Sequence, residues 1–489
     1  MTSQARPDDP ADRRAATRSR RQARLIESGS DHPAHRPPTK GFAGPQAGRA
    51  YYPRDLAAEV RRRLEEEGAP SPPPEVLNSL FETLFYASLR TEENLPVTCT
   101  IAWMEPGRSE TLPGQRTPDR WSVTRLGARR RFSVPALVKL SRAADPASSS
   151  LAVHQDADGL YIWGMVDQAV HYQTNDLGFE GDGPPERPGT FQATIAPAMI
   201  TVYRKSRLLA SLIHGQLSYR FHDVLHRGLI AGILEQYVQR FANRVRSAAG
   251  KELYDEGERA WERALRRLWV NTLSRILLGV QSYGHGGAVL LVERHSPAGM
   301  NVKYELPYGR LLPALTRLAA ARITQAHSRD RMWQGYLLKE DREDLPIDLH
   351  LEEGLSHTAQ SRCLNEITGC VRFVASLSQV DGAVTIDQEL TVGGFGVEIT
   401  VRDEPPSVFL AGNAEGTPQL LRQVDYDHFG TRHRSMMRYC WRFPGSVGFV
   451  VSQDGTVRAL TRRDDQLLLW DTIHLFDPGP QRDSGQGDL

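Results

Sequence analysis

The chain has 489 residues, of which 60 are basic and 59 acidic, for a formal net charge of +1 at pH 7. This length allows two or three domains, and the balanced charge gives no reason to expect nucleic acid or an anionic membrane as a partner. The four cysteines lack zinc-ribbon or disulfide-framework spacing, and no run resembles a signal peptide or a membrane span. We therefore expect a cytoplasmic protein.

Residues 1–75 are rich in Arg, Asp, Pro, Ala and Ser and poor in apolar residues. Too little apolar surface is available to offset the entropy of ordering, so we predict a disordered tail. The mixed pattern of 56–67 is the exception, because it is compatible with a short helix that stops at the prolines of 70–74. The arginines of the tail can contact an anionic partner, although solvation is the simpler interpretation.

Apolar residues at helical spacing open a folded region near residue 76, and turn-rich loops separate the short β-type runs that follow. This pattern is typical of a domain that mixes helices with a sheet. We predict a mixed α+β domain at 76–245 and a helical linker at 246–264. The β-type runs lie at 97–103, 121–123, 160–166 and 191–203.

Long helical patterns interleaved with short apolar strands fill the rest of the chain. Such interleaving indicates an α/β domain with a mixed sheet flanked by helices, which we place at 265–475. The tail at 476–489 is predicted to be disordered. The predicted helices are 229–248, 252–280 and 311–326, and the predicted strands are 288–292, 371–377, 383–386 and 447–451.

The run Asp381-Gly382-Ala383 lies where an apolar segment meets a turn and a new strand begins. Gly382 has no Cβ, so a ligand can approach its backbone closely. Asp381 can hold a divalent cation or draw a proton from a hydroxyl nucleophile. Taken alone, an Asp-Gly pair is more often an ordinary turn.

A second run, Gly430-Thr431-Arg432-His433-Arg434, follows about fifty residues later. The two arginines can fork onto phosphate oxygens, the threonine can donate a hydroxyl hydrogen bond, and the histidine can share a proton near neutrality. If Ser435 begins a helix, its free N–H groups add to an anion site. The alternative is a surface turn with solvated arginines. Together the two runs are typical of a nucleotide site.

In this order the two runs resemble the hallmark DGA and GTRHR motifs of the diadenylate cyclase (DAC) domain family. The strands at 286–290 and 450–452 extend the resemblance over most of the predicted α/β domain. It implies that two ATP molecules face each other across a dimer interface. The 3′-hydroxyl of each attacks the α-phosphate of the other, giving cyclic di-AMP and pyrophosphate with Mg²⁺ or Mn²⁺. A homodimer or higher homo-oligomer is implied, and a monomer should be inactive.

The resemblance also implies roles for individual residues. Asp381 is the implied metal-linked carboxylate. The implied catalytic residues are Asp381, Arg432, His433 and Arg434. The residues implied to contact the nucleotide are Gly382, Ala383, Ile399, Thr431, Arg432, His433, Arg434 and Ser435.

Three departures from the family pattern keep a second interpretation open. The segment between the motifs is long, with an apparent insertion at 403–427, and the strand from Gly287 lies far upstream of Asp381. The family's acidic pair after the Val-Val-Ser strand is Gln453-Asp454 here, so one carboxylate is missing. The second interpretation is a nucleotide-binding regulatory protein that has lost catalysis.

The layout of a mixed domain ahead of a cyclase-like one resembles bacterial proteins that carry a DACNV-type sensor domain. This resemblance implies an N-terminal regulatory domain with an unknown ligand. It leaves open the signal and the direction of regulation.

A third hypothesis is a metal hydrolase. His222 and His226 are four residues apart, a spacing that can chelate a metal on a helix, but the Glu of H-E-x-x-H is missing. Histidines on a helix surface are the simpler interpretation. Gly393-Gly394-Phe395-Gly396 is too short for a dinucleotide fingerprint and favours a bend in a strand.

Overall fold

A computed structural model describes most of the chain from residue 50 onward. The described ranges are 50–107, 121–144, 148–168, 187–205, 207–218, 222–250, 258–293, 298–338, 347–453, 456–473 and 475. The tail at 476–489, most of the predicted tail at 1–75, and Asp454 lie outside these residues. Among the helices in the described ranges, none combines the length and apolarity needed to cross a bilayer.

Two helices precede the first sheet, α1 (Pro53–Glu66) and α2 (Pro74–Ser88). Leu56, Val60 and Leu64 recur every four residues along α1 and are fully buried, so this helix is held by one apolar face. The short helix predicted at 56–67 is therefore present. The predicted disordered tail does not include α1, because these three side chains belong to a hydrophobic core.

The first sheet has eight strands in the order β10-β9-β8-β7-β3-β5-β6-β4. Only the β3–β5 pair is parallel among its ladders. One face packs on α1, α2 and the short helix α3 (Val134–Ser141), which makes this region a mixed α+β unit. A two-stranded ribbon of β1 (Thr91–Glu92) and β2 (Leu95–Pro96) precedes it. The sheet strands are β3 (Cys99–Trp103), β4 (Ser122–Arg131), β5 (Ser149–Asp156), β6 (Gly159–Asp167), β7 (Gln192–Ala196), β8 (Met199–Arg204), β9 (Arg207–Ile213) and β10 (Gln216–Ser218).

Four long helices cover one face of a second sheet. They are α4 (Gly228–Ala249), α5 (Glu258–Ser282), α6 (Leu311–Leu338) and α7 (Ile347–Ser376). The sequence-based boundaries place α4 in the first domain, yet its buried face shares a core with the second sheet. A Cβ on Gly228 would lie 2.1 Å from the carbonyl oxygen of Ala414, which shows how closely α4 starts against that region.

Helix α7 replaces a predicted strand. The strand predicted at 371–377 is wrong because 347–376 is one continuous helix. Its buried residues Ile367, Cys370 and Val374 follow the three- and four-residue spacing of a helix face. A Cβ on Gly279 would lie 2.6 Å from the Cβ of Ala375, so α5 and α7 cross closely.

The second sheet has nine strands in the order β12-β14-β13-β11-β17-β18-β19-β15-β16. It is mixed: β11 pairs in parallel with β13 and antiparallel with β17. A helix on its other face, α8 (Thr431–Arg442), packs over a separate apolar cluster. The strands are β11 (Gly287–Leu291), β12 (Met300–Tyr308), β13 (Ala383–Ile386), β14 (Val392–Ile399), β15 (Val408–Ala411), β16 (Leu421–Val424), β17 (Val447–Val451), β18 (Val457–Arg463) and β19 (Gln466–Trp470).

Strand direction brings several strand ends to one edge of this second sheet. Since Gly287 pairs with Val451, the start of β11 lies beside the end of β17. The parallel partner β13 starts at the same edge. The turns before β11 and β13 and after β17 therefore meet there, and we call this place the β11/β13 edge.

Candidate functional site

The first motif forms the turn that leads into β13. Gly382 has φ +118°, a backbone conformation that strongly favours glycine. A Cβ at this position would lie 2.5 Å from the carbonyl carbon of Gly396 on β14. The sequence therefore needs glycine here because the turn packs directly on the neighbouring strand. The turn leaves the Asp381 side chain 99% exposed.

The second motif forms the first turn of α8. A helix start at Ser435 was considered only as a condition, and α8 in fact starts at Thr431 with Gly430 as its N-cap. The motif side chains thus belong to the helix itself, and its first turn contains no acidic residue. The N–H groups of a first turn have no partner within their helix, and the helix dipole there favours an anion.

The two motifs converge at the β11/β13 edge. Nη2 of Arg432 lies 3.5 Å from Oδ1 of Asp381. A Cβ on Gly286, which has φ +73°, would lie 3.0 Å from Nη1 of Arg432 and 2.8 Å from the carbonyl oxygen of Val451. The guanidinium of Arg432 therefore spans the turns before β11 and β13, and glycine at 286 makes room for it.

The predicted phosphate-binding residues do not all face this edge. Arg434 lies 3.9 Å from Asp427, and its guanidinium carbon is 6.0 Å from the centre of the Tyr426 ring. Ser435 Oγ accepts a hydrogen bond from Nη2 of Arg438 at 3.2 Å. Residues two apart on a helix point to different sides. Arg432 is therefore directed at Asp381, and Arg434 at the loop before α8.

The predicted apolar contacts lie below the surface. Ala383 is 3% exposed and belongs to the apolar cluster between the sheet and α8. Ile399 is partly buried against the same cluster. Val397, two residues before Ile399, pairs with Ala383 across the β13–β14 ladder. Ala383 and Ile399 thus pack in the apolar cluster beneath the first motif.

Sequence analysis missed a cationic group that contacts the second motif. Nη1 of Arg458 on β18 lies 3.1 Å from Nε2 of His433 and donates to Oγ of Ser452 at 3.0 Å. Nε of the same arginine donates to Oδ1 of Asp471 at 2.5 Å. The only signal in the sequence is an arginine near the start of an apolar strand, and that does not specify a site.

An ion pair lies next to the first motif on the outer strands of the sheet. Lys303 Nζ is 2.7 Å from Oε1 of Glu398. The hydrogen bond to Glu398 raises the pKa of Lys303, and the negative charge of Asp381 adds to the effect. The same bond lowers the pKa of Glu398. The carboxylate of Asp381 is thus close enough to influence charges on β12.

In the described ranges, no three His, Cys, Asp or Glu side chains come together as a group able to hold a metal. Asp381 alone is compatible with Mg²⁺, which is commonly bound through one or two carboxylates together with substrate phosphates. The exposed carboxylate of Asp381 can therefore supply one ligand to such a cation.

The histidine pair of the third hypothesis has no helical arrangement. His222 forms an isolated bridge with Ile473, and His226 lies in a turn before α4. Nδ1 of His226 is 2.7 Å from Oδ1 of Asp223. Neither the helical chelate nor the preferred interpretation, histidines on a helix surface, is therefore correct, because the helix starts only at Gly228.

The predicted strand bend at 393–396 is confirmed. The segment lies within β14, where the pairing register with β13 shifts, and Gly396 has φ +62°.

Comparison with protein families identifies the first region only. Residues 66–167 match a family model described as "Probable sensor domain DACNV". The matched segment runs from the end of α1 to the end of β6. No curated protein matches the chain. The predicted DACNV-type sensor domain is therefore confirmed over this segment, which ends well before Asp381.

Proposed function

We propose that the second region condenses two ATP molecules to cyclic di-AMP and pyrophosphate, under the control of the sensor domain. The observation that carries this proposal is the distance of 3.5 Å between Arg432 and Asp381. Two motifs about fifty residues apart supply a cation and a carboxylate at one sheet edge. Glycines at 286 and 382 keep the backbone there clear of side chains.

Triphosphate binding is assigned to α8. The guanidinium of Arg432 is 35% exposed, so it can form paired hydrogen bonds with phosphate oxygens. The first turn of the helix adds backbone N–H groups at the same place. Arg434 can reach phosphate oxygens only after leaving Asp427, to which its contact is long at 3.9 Å.

Asp381 is assigned the chemistry at the 3′-hydroxyl. Its side chain is almost fully exposed, so its carboxylate can accept a proton from a hydroxyl or hold a divalent cation. Bound Mg²⁺ or Mn²⁺ would neutralise charge on the phosphate oxygens. When phosphate binds Arg432, the Asp381–Arg432 contact is exchanged for a phosphate contact. Phosphoryl transfer depends mainly on such positioning and charge neutralisation.

Two copies of the chain are required by this reaction. One edge offers one carboxylate and one cationic helix start, which suits one ATP. The 3′-hydroxyl of that ATP must meet the α-phosphate of a second ATP, so a second copy has to face the first. The exposure of Asp381 leaves this edge open to such a partner.

A second candidate function is a nucleotide-binding regulator without turnover. Gln453, which is exposed beside the site, stands where the DAC family has a carboxylate. A single carboxylate at the edge can be enough to bind a nucleotide and too little for the reaction.

Incubation of the purified full chain with ATP and Mn²⁺, followed by chromatographic separation, distinguishes the two candidates. Cyclic di-AMP together with pyrophosphate supports the cyclase. Saturable ATP binding without either product supports the regulator. If ATP neither binds nor reacts, both are excluded.

A further inference from the structure

His433 has a defined hydrogen-bond partner in the folded chain. Its Nε2 lies 3.1 Å from Nη1 of Arg458. The two residues come from different elements, α8 and β18, so the contact fixes the first turn of the helix against the sheet. The sequence motif alone suggested an imidazole that shares protons near neutrality.

The chemistry of the two groups determines the direction of this hydrogen bond. A guanidinium has five N–H donors, no acceptor, and remains protonated in proteins. Nε2 of His433 must therefore be the acceptor and carry no proton. The imidazole is then neutral, with its proton on Nδ1.

Arg458 is itself held from two further sides. Asp471 follows β19 and accepts from Nε at 2.5 Å, while Ser452 follows β17 and accepts from Nη1 at 3.0 Å. The arginine side chain is 21% exposed. Groups at the ends of the two strands that flank β18 thus orient one donor toward His433.

We propose that Arg458 is a positioning residue that keeps His433 as the neutral Nδ1–H tautomer. His433 then orients the start of α8 and transfers no proton, and fixed positive charge at the edge comes from Arg432 and Arg458. Asp381 is left as the proton acceptor. The catalytic meaning of this assignment rests on the proposed cyclase, whereas the tautomer itself is a property of the protein without substrate.

Nuclear magnetic resonance of the ¹⁵N-histidine-labelled full chain tests the tautomer directly. Loss of signals in His433→Gln identifies the resonances. We expect Nδ1 of His433 to show a protonated-type shift and Nε2 an unprotonated one at neutral pH. In Arg458→Gln we expect the two shifts to move toward the averaged values of an exchanging imidazole, and Arg458→Lys should restore them because its ammonium can still donate.

Arg462→Gln is the matched control. Arg462 lies on the same strand and also contacts α8, since its Nη1 donates to the carbonyl oxygen of Trp441 at 2.8 Å. Its contact lies near the last turn of α8, far along the helix from His433, so its replacement should leave the imidazole shifts unchanged. A protonated Nε2 in the unmodified chain, or equal shifts in Arg458→Gln and the unmodified chain, would overturn the assignment.

Activity adds a separate readout. If the cyclase is active, Arg458→Gln should lower kcat by about tenfold to a hundredfold through misplacement of the helix start, with recovery in Arg458→Lys. An inactive protein with the expected tautomer would reject the proposed function and keep the tautomer assignment. An active protein with protonated Nε2 would support the proposed function and reject the tautomer assignment.

Discussion

The two sheets of the chain differ in how they arrange their polar side chains. The first sheet contains a pair of neutral polar side chains that is closed to solvent. Gln192 Nε2 donates to Oε1 of Gln168 at 2.9 Å, and these two residues are 0% and 1% exposed. In the second sheet the charged groups are open to solvent at one edge, where Asp381 is 99% exposed.

This difference distinguishes polar groups that support packing from charged groups that are available to a ligand. A buried pair of neutral side chains that hydrogen-bond to each other helps to specify the packing of a core. A carboxylate beside a glycine turn, facing an arginine at a helix start, is not needed for packing. The family match covers β3 to β6 of the first sheet, and the features that suggest chemistry lie on the second.

The largest expected effect is a loss of cyclic di-AMP formation when the carboxylate at the β11/β13 edge is replaced. Asp381→Asn should lower cyclic di-AMP formation by about a hundredfold to ten-thousandfold, because the amide cannot accept the proton of the 3′-hydroxyl. ATP binding should stay largely intact, as measured by calorimetry. Asp465→Asn is the matched control, since Asp465 is also exposed and lies beside an arginine, Arg462, outside the site. Unchanged turnover in Asp381→Asn would remove this carboxylate from the mechanism.

Substitutions of two glycines, one beside each sheet, test whether the two sheets can be destabilised separately. Gly382→Ala places a Cβ 2.5 Å from the Gly396 backbone, and Gly189→Ala places one 2.6 Å from the carbonyl oxygen of Trp103 in the first sheet. Both should lower the free energy of unfolding by about 2–4 kcal/mol. We expect only Gly382→Ala to weaken ATP binding in protein that remains folded. Chemical denaturation and calorimetry give the two quantities.

Gly445→Ala is the control for this pair of glycines. Gly445 has φ +85° with no heavy atom within 4 Å of the added Cβ. The Gly445→Ala variant therefore measures the cost of the backbone conformation without a steric clash. We expect it to lower the free energy of unfolding by about 1–3 kcal/mol. Equal loss of ATP binding in Gly189→Ala and Gly382→Ala would remove the distinction between the two regions.

A smaller effect, a loss of stability, is expected when the buried Gln168–Gln192 pair of the first sheet is broken. Gln192→Ala leaves the buried amide of Gln168 without this partner and should cost about 1–3 kcal/mol of unfolding free energy. Turnover per folded molecule should not change in the absence of a sensor ligand. Gln216→Ala, at an exposed position of the same sheet, should change stability by less than about 0.5 kcal/mol. A stability loss as small as that of the control would show that the buried pair is not structural.

The smallest effect concerns an ion-pair cluster between α6 and α7. Hydrogen bonds from Arg317 and then Arg310 hold the pKa of Glu366 below its usual value. A lowered pKa means that the pair stabilises the fold at neutral pH and that this contribution is lost as the pH falls through the folded-state value. Glu366→Gln should therefore cost about 0.5 kcal/mol at pH 7.

The difference between Glu366→Gln and the unmodified chain should shrink steadily in denaturation curves recorded at decreasing pH. A difference that grew on acidification would contradict the sign of the pKa change.

Sequence reasoning found the pieces that depend on local chemistry. The motifs at Asp381 and Arg432 consist of residue types whose role can be stated without a fold, and the structure brings this pair together. Elements with a strong apolar period were also found: α4 was predicted close to its observed bounds, and the helical spacing near residue 76 belongs to α2.

The missed features depend on tertiary context. The run at 371–377 is apolar enough for a strand, and only its packing against α5 shows that it continues α7. Arg458 is part of the site because β17, β18 and β19 are neighbours, and sequence spacing does not reveal that order. Arg434 belongs to the motif in sequence, yet helical geometry directs it to Asp427.

The most direct test of the central claim is the rate of cyclic di-AMP formation per mole of chain, measured with saturating ATP and Mn²⁺ over a dilution series. Two facing copies must share the reaction, so the specific rate should rise steeply with protein concentration and then level off as dimers saturate. Sedimentation of the same samples should show the dimer appearing over the same range. A specific rate that stays constant where the chain is monomeric, or ATP binding without product at every concentration, would contradict the account.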